Sequence, residues 1–208
     1  MKQYPSITSE VSHGLPAYLF PKYDGSYIRA EWSRKHKKFV KFGSKTVLLG
    51  EDHPVLGKAI SLIREKYEEP LTDIFLEERF QEAVCFFEFF GPRSFAGNHD
   101  PTDTHTVVLF DIIVFKKGLL KPSEFLKLLG DRVEVSPSIY YGNITEAVET
   151  AIRDGMFPGA SSEGVVCKCT ESLKNGYPRH AFKIKTSAWY QKLREFCQGN
   201  EELENQLK

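Results

Sequence analysis

The 208-residue sequence has no apolar run of membrane-spanning length, no internal repeat and no Gly/Ser-rich linker. A membrane helix needs about 20 mostly apolar residues. The N-terminus also lacks the charged segment followed by an apolar segment that marks a secretory signal. Together with a composition that is 41% hydrophobic and 27% charged, these absences predict a soluble, cytoplasmic protein that makes no membrane contact.

The sequence also lacks net charge, because its 28 basic residues balance its 28 acidic residues. Proteins that bind long stretches of nucleic acid usually carry a basic excess, so this balance argues against a large nucleic-acid footprint. The basic residues are clustered, however. Between positions 29 and 46 there are seven basic residues and one acidic residue.

Cysteine is scarce, with four residues at Cys85, Cys167, Cys169 and Cys197. Cys85 and Cys167 lie in apolar segments, where a free thiol packs as a small hydrophobic group. Cys167 and Cys169 have no second pair at the spacing of a zinc site. We therefore expect free thiols and a reducing, intracellular setting.

Segments rich in β-branched and aromatic residues predict strands, and apolar residues at helical spacing predict helices. The predicted strands are 26–32, 38–42, 83–90, 105–115, 163–169 and 180–185. The predicted helices are 54–68, 122–129, 144–154 (capped by Asn143 and ended by Gly155) and 187–197. We expect an α+β fold whose mixed, largely antiparallel sheet core carries packed helices. Residues 1–186 would form the main domain, and 187–208 a C-terminal helix and polar tail.

The first candidate site residue is Lys22, which lies in the segment FPKYDG at 20–25. The Asp-Gly pair favours a turn, so the lysine is expected at the end of a strand. A lysine amine is a nucleophile only when it is uncharged, which requires burial or nearby cations. The alternative is an ordinary hairpin turn with a solvated lysine.

Two glutamates adjoin apolar strand segments. Glu88 lies within FEFFG at 87–91, and Glu163 begins EGVVCK at 163–168. A carboxylate buried in such a strand is costly unless it meets a metal ion, a cation or a sugar hydroxyl. Glu88 is therefore a candidate ligand-binding residue, although it also fits the solvent face of a half-buried strand.

Lys183 and Lys185 lie two residues apart in a predicted strand and so share one face of it. Like charges on one face repel each other unless an anion lies between them, and a triphosphate would serve. The alternative is an edge strand that its lysines protect from pairing.

These segments follow one another in a defined order. The residues Lys22, Glu88, Asp111, Glu163 and Lys183 are separated by 66, 23, 52 and 20 residues. In this order the segments resemble the motifs of the covalent nucleotidyltransferases, which are ATP-dependent DNA ligases, RNA ligases and mRNA capping enzymes. KYDG at 22–25 is similar to their nucleotidyl-lysine motif. The resemblance covers about residues 18–186, is greatest to RNA ligases, and implies an ATP-grasp-like nucleotidyltransferase (adenylation) domain.

The resemblance implies a reaction in three steps. Lys22 would attack the α-phosphorus of ATP to form a lysyl-AMP intermediate and release pyrophosphate. The AMP would pass to a 5′-phosphate end, which would then be sealed to a 3′-hydroxyl. The implied cofactors are ATP and Mg²⁺ or Mn²⁺. The implied partners are RNA or DNA ends, with a separate substrate-binding domain or subunit.

The resemblance also assigns roles to the charged residues. Lys183 and Lys185 would act with Lys22 in catalysis, because they would contact the phosphates and lower the pKa of the nucleophile. Glu163 would bind the metal ion. Glu88 would bind the ribose or help to place the metal ion.

The remaining nucleotide contacts are implied in the same way. Phe110 and Val166 would enclose the base. The other nucleotide-binding candidates are Asp24, Gly25, Arg29 and Lys45. Arg29 also fits an exposed strand arginine, and Lys45 stands where the family usually has arginine, which puts a forked phosphate contact in doubt.

The charged turn at 33–37 between two predicted strands is a candidate nucleic-acid contact through Lys35, Lys37 and Lys38. The alternative is a solvated turn, because clusters of basic residues are common on protein surfaces. Contact with phosphates would make binding weaken as salt concentration rises.

Only 23 residues follow Lys185, too few for the OB-fold domain that typically follows the last motif in DNA ligases and capping enzymes. We therefore expect no OB-fold and favour RNA ends as the substrate. Three alternatives stay open: a minimal ATP-dependent DNA ligase, a GTP-using mRNA capping guanylyltransferase, and a non-catalytic nucleotide-binding module.

Overall fold

A computed structural model describes residues 1–170 and 181–207. The chain forms two compact units. The first unit comprises residues 1–5, 25–94 and 98–136, and the second comprises residues 6–24, 95–97 and 137–208. The expected α+β class is confirmed, with antiparallel strand pairs and packed helices, and the described residues contain no OB-fold. The division of the chain at residue 186 stays a prediction.

The elements are numbered along the chain. The strands are β1 Pro16–Pro21, β2 Ser26–Ser33, β3 Lys38–Gly43, β4 Leu48–Leu49, β5 Glu82–Phe90, β6 Thr106–Val114, β7 Gly118–Leu119, β8 Tyr140–Asn143, β9 Gly164–Cys169 and β10 Ala181–Lys185. The helices are α1 Gly57–Ile63, α2 Glu69–Glu77, α3 Pro122–Leu129, α4 Glu146–Arg153, α5 Ser187–Cys197 and α6 Glu201–Leu207, with a π-helical turn Arg64–Glu68 between α1 and α2.

The first unit contains a six-stranded sheet of order β4-β3-β2-β5-β6-β7. One face of this sheet packs against α1, α2 and α3 in a core rich in aromatic residues, in which Trp32 and Phe75 meet edge to face with ring centroids 5.2 Å apart. Each such aromatic side chain contributes about 2–3 kcal/mol when it is buried. The opposite face carries a smaller cluster that includes Phe86 and Phe110, and Tyr4 lies against both rings.

The second unit contains a four-stranded sheet of order β10-β9-β1-β8. Its apolar core joins β1, β9 and β10 to α4 through Leu19, Val165, Ile184 and Ile152. A separate cluster packs Phe95 against α5. No helix in the described part of the chain is long and apolar enough to cross a membrane.

Two predictions about the helices were wrong, one about bounds and one about a cap. The helix predicted at 54–68 begins only at Gly57, and after a π-helical turn it continues as α2 to Glu77. Pro70 explains the turn, because it lacks an N–H to donate to the preceding turn of an α-helix.

The second correction concerns the cap of α4. Thr145 rather than Asn143 precedes this helix, and its side chain accepts a hydrogen bond from the Val148 amide at 3.3 Å. Asn143 instead ends β8. The prediction for Gly155 agrees with its left-handed φ of 71° just after the helix. The expected polar tail contains a further helix, α6.

The other predicted elements lie within two residues of their predicted bounds, except that residue 180, the expected start of β10, falls outside the described residues. The sequence reasoning gave no bounds for β1, β4, β7 and β8. All four cysteines are buried free thiols, as the sequence indicates. Cys85 lies in β5, Cys167 and Cys169 lie in β9, and Cys197 ends α5. Burial raises the pKa of the Cys85 and Cys167 thiols well above its ordinary value.

Candidate functional site

The ends of three neighbouring strands of the second unit bring the candidate residues together. In the antiparallel register, Pro21 of β1 lies opposite Val165 of β9, and Lys185 of β10 lies opposite Gly164. Lys22 directly follows β1, and Glu163 directly precedes β9. Residues 22, 163 and 185 are therefore adjacent at one edge of this sheet, although they are far apart in sequence.

One oxygen atom joins the three side chains. Oε1 of Glu163 lies 2.8 Å from Nζ of Lys22 and 2.9 Å from Nζ of Lys185. Glu163 is 3% exposed and Lys185 is 4% exposed, whereas Lys22 is 23% exposed. The amine of Lys22 is thus the member of the cluster that a ligand can reach. The alternative of a solvated turn lysine does not fit this arrangement.

The backbone around the cluster is fixed by hydrogen bonds. The Lys22 amide donates to the Gly164 carbonyl at 2.9 Å, and the Thr186 amide donates to the Glu163 carbonyl at 3.0 Å. Gly164 has a φ of 136°, and a Cβ atom there would lie 2.0 Å from the Ile184 carbonyl oxygen. Only glycine fits this position, because any side chain would collide with the backbone of β10 at the point where β9 begins.

Burial perturbs the acid–base chemistry of Lys185. Loss of solvation lowers its pKa to about 8, and the nearby Lys22 and Lys183 charges act in the same direction. The carboxylate of Glu163 partly offsets this effect. Lys185 is therefore mainly charged at neutral pH and loses its proton a little above it.

Asp24, a predicted nucleotide contact, is held by groups of its own unit. Its Oδ2 accepts a hydrogen bond from Nε1 of Trp189 at 2.6 Å, and its Oδ1 accepts one from the Ala96 amide at 2.7 Å. Burial and the nearby Glu163 charge raise the pKa of Asp24, and the two hydrogen bonds partly counter this. These contacts place Asp24 as a residue that fixes the turn after Lys22.

Trp189 belongs to the site, although the sequence reasoning did not select it. Its ring centroid lies 3.4 Å from Nζ of Lys185, a cation–π contact, while its N–H binds Asp24. Trp189 therefore links α5 both to the turn after Lys22, through Asp24, and to Lys185 of β10. Two features of the sequence could have indicated its role. Trp189 lies four residues after Lys185, and its N–H needs an acceptor when it is buried.

We expect replacement of Trp189 to act in two separable steps. Trp189→Phe keeps an aromatic face under Lys185 but removes the N–H, which should lower the free energy of unfolding by about 2 kcal/mol. Trp189→Leu also removes the cation–π contact and should cost about 4 kcal/mol in total. Urea unfolding measures both, with Phe196→Leu on the exposed face of α5 as control. Equal losses for the Phe and Leu variants would contradict the cation–π role.

Lys183 and Val166 lie directly opposite each other on β10 and β9, and both are half-buried. Because Lys183 and Lys185 are two residues apart in β10, they share a face of this strand, as predicted. Lys168, two residues after Val166, is almost fully buried, with its Nζ 4.3 Å from the ring centroid of Phe20. The sequence reasoning did not select this basic residue as part of the site.

Glu88 and Phe110 belong to the first unit. Glu88 is half-buried in β5 and lies opposite Tyr27 and Val108 of the neighbouring strands. Phe110 is half-buried in the aromatic cluster that includes Tyr4, whose ring centroid is 5.2 Å from its own. Their contacts with metal, ribose or base stay predictions.

Arg29 is buried in β2, so the alternative of an exposed strand arginine is wrong. Its Nη1 donates to the carbonyls of Met1 and Lys2 at 3.2 and 3.4 Å. Lys45, by contrast, is exposed in the turn before β4, and its carbonyl accepts a hydrogen bond from Gln3. A nucleotide contact stays a prediction for both residues.

Gly25 has a steric requirement of its own, because a Cβ atom there would lie 2.3 Å from the Phe89 carbonyl oxygen. Lys35, Lys37 and Lys38 are exposed at the β2–β3 turn, at the opposite end of β2 from Gly25. Among the residues described, no three His, Cys, Asp or Glu side chains form a group that could hold a metal ion. Protein ligands alone therefore do not define a metal centre there.

The fold that contains these two sheets is shared with solved RNA ligase structures. Among solved structures the chain is similar to an RNA ligase of Naegleria gruberi with pyrophosphate, with a TM-score of 0.66 and 17% identity over 94% of this chain and 58% of that one. A lysine-to-alanine variant of that ligase with ATP and manganese matches with a TM-score of 0.61 and 18% identity, over 86% and 52% of the two chains. A glutamate-to-alanine variant with AMP and manganese matches with a TM-score of 0.62 and 17% identity, over 91% and 59%.

At these identities the likeness establishes the fold, and the chain spans somewhat more than half the length of these ligases. No protein-family model matches the sequence. No curated protein sequence matches it either.

Proposed function

We propose that this protein is an ATP-dependent RNA ligase whose Lys22 forms a lysyl-AMP intermediate. The observation that carries the proposal is the cluster in which Lys22 and Lys185 share one oxygen of the buried Glu163. A structural ion pair needs one cation for each carboxylate. A second, desolvated lysine is costly unless an anion joins the cluster.

The chemistry assigned to these residues is a substitution at phosphorus. The amine of Lys22 gives up a proton to solvent and forms a nitrogen–phosphorus bond to the α-phosphorus of ATP. The bond from that phosphorus to its bridging oxygen breaks, and pyrophosphate leaves with the electron pair. Lys185 and Lys183 stabilise the charge that develops on the phosphates, which is the effect of preorganised cations in general.

The candidate residues fit a nucleoside triphosphate with a divalent ion. Mg²⁺ usually binds one or two carboxylates together with substrate phosphates and water, and Glu163 supplies one such carboxylate. The ion would provide positive charge beside the α-phosphate. The named RNA ligase structures contain ATP with manganese, AMP with manganese, or pyrophosphate, which supports the same ligands here.

The substrate side of the proposal is RNA with a 5′-phosphate and a 3′-hydroxyl end. AMP passes from Lys22 to the 5′-phosphate, and the 3′-hydroxyl then displaces it, so the protein joins RNA ends as in RNA repair. The support is the fold shared with the RNA ligase of Naegleria gruberi. The residues that we propose as nucleotide contacts, as the resemblance of the motifs implies, are Glu88, Phe110, Val166, Arg29, Lys45, Asp24 and Gly25.

The proposal is tested by incubating the protein with Mg²⁺ and either ATP or GTP, followed by denaturation and mass spectrometry. We expect a covalent gain of the mass of AMP with ATP and no gain with GTP. A GMP adduct would indicate a capping-type guanylyltransferase. Tight ATP binding without any adduct would indicate a non-catalytic module.

Substrate class is tested next with the adenylated protein. We expect it to join 5′-phosphorylated RNA strands faster than DNA strands of the same sequence, measured as product on a denaturing gel. Preferential joining of DNA would replace the RNA assignment with that of a minimal DNA ligase.

A further inference from the structure

Three turns lie side by side at one end of the first unit's sheet. They are the β2–β3 turn, the loop before β5 and the β6–β7 turn. The Arg34 amide donates to the Gln81 carbonyl at 2.9 Å, and the Phe115 amide donates to the Glu82 carbonyl at 3.0 Å, so neighbouring turns are directly bonded. We call this surface, formed by residues 34–38, 78–82 and 115–117, the basic edge.

The basic edge has a net positive charge, although the net charge of the whole chain is zero. It contains seven basic residues and two acidic residues, whereas the whole chain has 28 of each. The basic residues are Arg34, Lys35, Lys37, Lys38, Arg79, Lys116 and Lys117, and the acidic ones are Glu78 and Glu82. All of the basic residues except Arg34 are exposed. Such a surface attracts a polyanion.

The backbone at the basic edge supplies an independent observation. Each of the three turns contains one basic residue in the left-handed region, namely Lys37 at φ 51°, Arg79 at φ 57° and Lys116 at φ 66°. Glycine or asparagine would adopt these angles at lower cost. A cation that recurs at all three strained positions indicates that its charge is used.

An aromatic side chain lies among these charges. Phe115 is 47% exposed at the start of the β6–β7 turn and directly precedes Lys116 and Lys117. Exposed aromatic rings between basic residues are typical of surfaces that stack nucleobases while the cations contact phosphates. An isolated ring of this kind offers little apolar area for insertion into a lipid bilayer.

We propose that the basic edge binds the RNA substrate away from the reacting end, with phosphates on the cations of its three turns and one base on Phe115. This inference rests on the proposed ligase function. It extends the contact predicted for Lys35, Lys37 and Lys38 to two further turns that only the sheet register brings beside them. Sequence order alone does not group residues 37, 79 and 116.

The geometry sets a length requirement for the substrate. The eight residues of β2 separate the basic edge from Gly25, which lies three residues after Lys22. At about 3.3 Å per residue this is roughly 25 Å. A single RNA strand that contacts both ends of β2 needs on the order of seven or more nucleotides, at about 3.4 Å per nucleotide.

The test compares two triple variants that remove equal charge. In the first, Lys37→Asn, Arg79→Asn and Lys116→Asn remove the three strained cations, and asparagine tolerates the left-handed backbone. In the control, Lys58→Gln, Lys192→Gln and Arg194→Gln remove three exposed cations from α1 and α5. Binding of a fluorescent, 5′-phosphorylated 20-nucleotide single-stranded RNA is measured by anisotropy at several salt concentrations.

We expect the first triple variant to bind about tenfold or more weakly near 0.1 M salt, with a slope of log K against log salt that is less steep by about two. The control should stay within about twofold of the parent. Phe115→Ala should weaken binding by about tenfold and leave the salt slope unchanged. Melting temperatures should not fall in the first variant, because asparagine relieves strain.

Equal salt slopes in the two triple variants would overturn the inference. So would a loss of binding to anionic lipid vesicles in the first variant with RNA binding intact, which would assign the basic edge to a membrane. Lysyl-AMP formation needs no RNA and is measured in parallel on the same variants. Its absence in the parent would refute the ligase proposal, whereas unchanged RNA binding with normal adenylation would refute only the basic edge.

Discussion

Replacement of Lys22 by alanine should abolish the AMP adduct completely. The proposed intermediate is a bond to Nζ of this residue, and no other amine shares its combination of partial exposure and contact with Glu163 among the ion pairs of the described residues. Glu163 keeps Lys185 as a partner in the variant, so the fold should persist. Intact mass spectrometry after incubation with ATP and Mg²⁺ gives the result directly.

Lys22→Arg provides a sharper form of the same experiment. Arginine keeps the positive charge and the ion pair with Glu163, but it does not lose its proton in proteins. We expect normal thermal stability and no adduct. Lys192→Ala, at an exposed position on α5, should adenylate as the parent does. An adduct that survives in the Lys22 variants would place the chemistry on another residue.

Lys185→Met should separate activity from stability. Methionine resembles the lysine stem in size but carries no charge, so adenylation should fall by about 100- to 1,000-fold through the loss of one preorganised cation. The fold should not weaken at pH 7. Because burial holds the pKa of Lys185 at about 8 against an ordinary 10.5, removal of the buried charge should raise the free energy of unfolding by up to about 3 kcal/mol. Loss of the cation–π contact with Trp189 should offset about 2 kcal/mol of this gain.

The pH dependence fixes the sign of this effect. Between pH 8 and 10.5 the folded parent has released the Lys185 proton while the unfolded chain still holds it, so stability rises with pH across that window. The Met variant should lack this rise. Urea unfolding at pH 7 and pH 10 measures the difference, with Lys192→Met as the control. A destabilised, inactive Met variant would show that Lys185 is a structural ion-pair residue.

The sequence predicted the fold class because its strands differ clearly in pattern from its helices. The apolar runs of β5 and β6 are buried on both faces and are unmistakable, and their bounds agree with the structure within about two residues. The long helix after residue 54 was harder. The π-helical turn at Arg64–Glu68 interrupts the α-helical spacing of its apolar residues, and Pro70 follows, so the pattern alone ended the helix too early.

The sequence reasoning selected Lys22, Glu163 and Lys185, but it did not predict the contacts among their side chains. The resemblance of the motifs to those of the covalent nucleotidyltransferases implied a common site for Lys22, Glu163 and Lys185, yet no spacing reveals that both lysines share one carboxylate oxygen. That contact depends on the register of β1, β9 and β10. Trp189 was missed for the same reason, since its acceptor Asp24 lies 165 positions earlier in the chain.

The buried thiols allow local opening of the fold to be measured by their chemical modification. Cys167 and Cys169 lie in β9, the strand that begins beside Glu163, whereas Cys85 lies in the sheet of the first unit. A thiol-modifying reagent reaches a buried cysteine only when the strand around it opens. The alkylation rates of Cys85, Cys167 and Cys169 therefore report how readily each sheet opens, without an engineered cysteine.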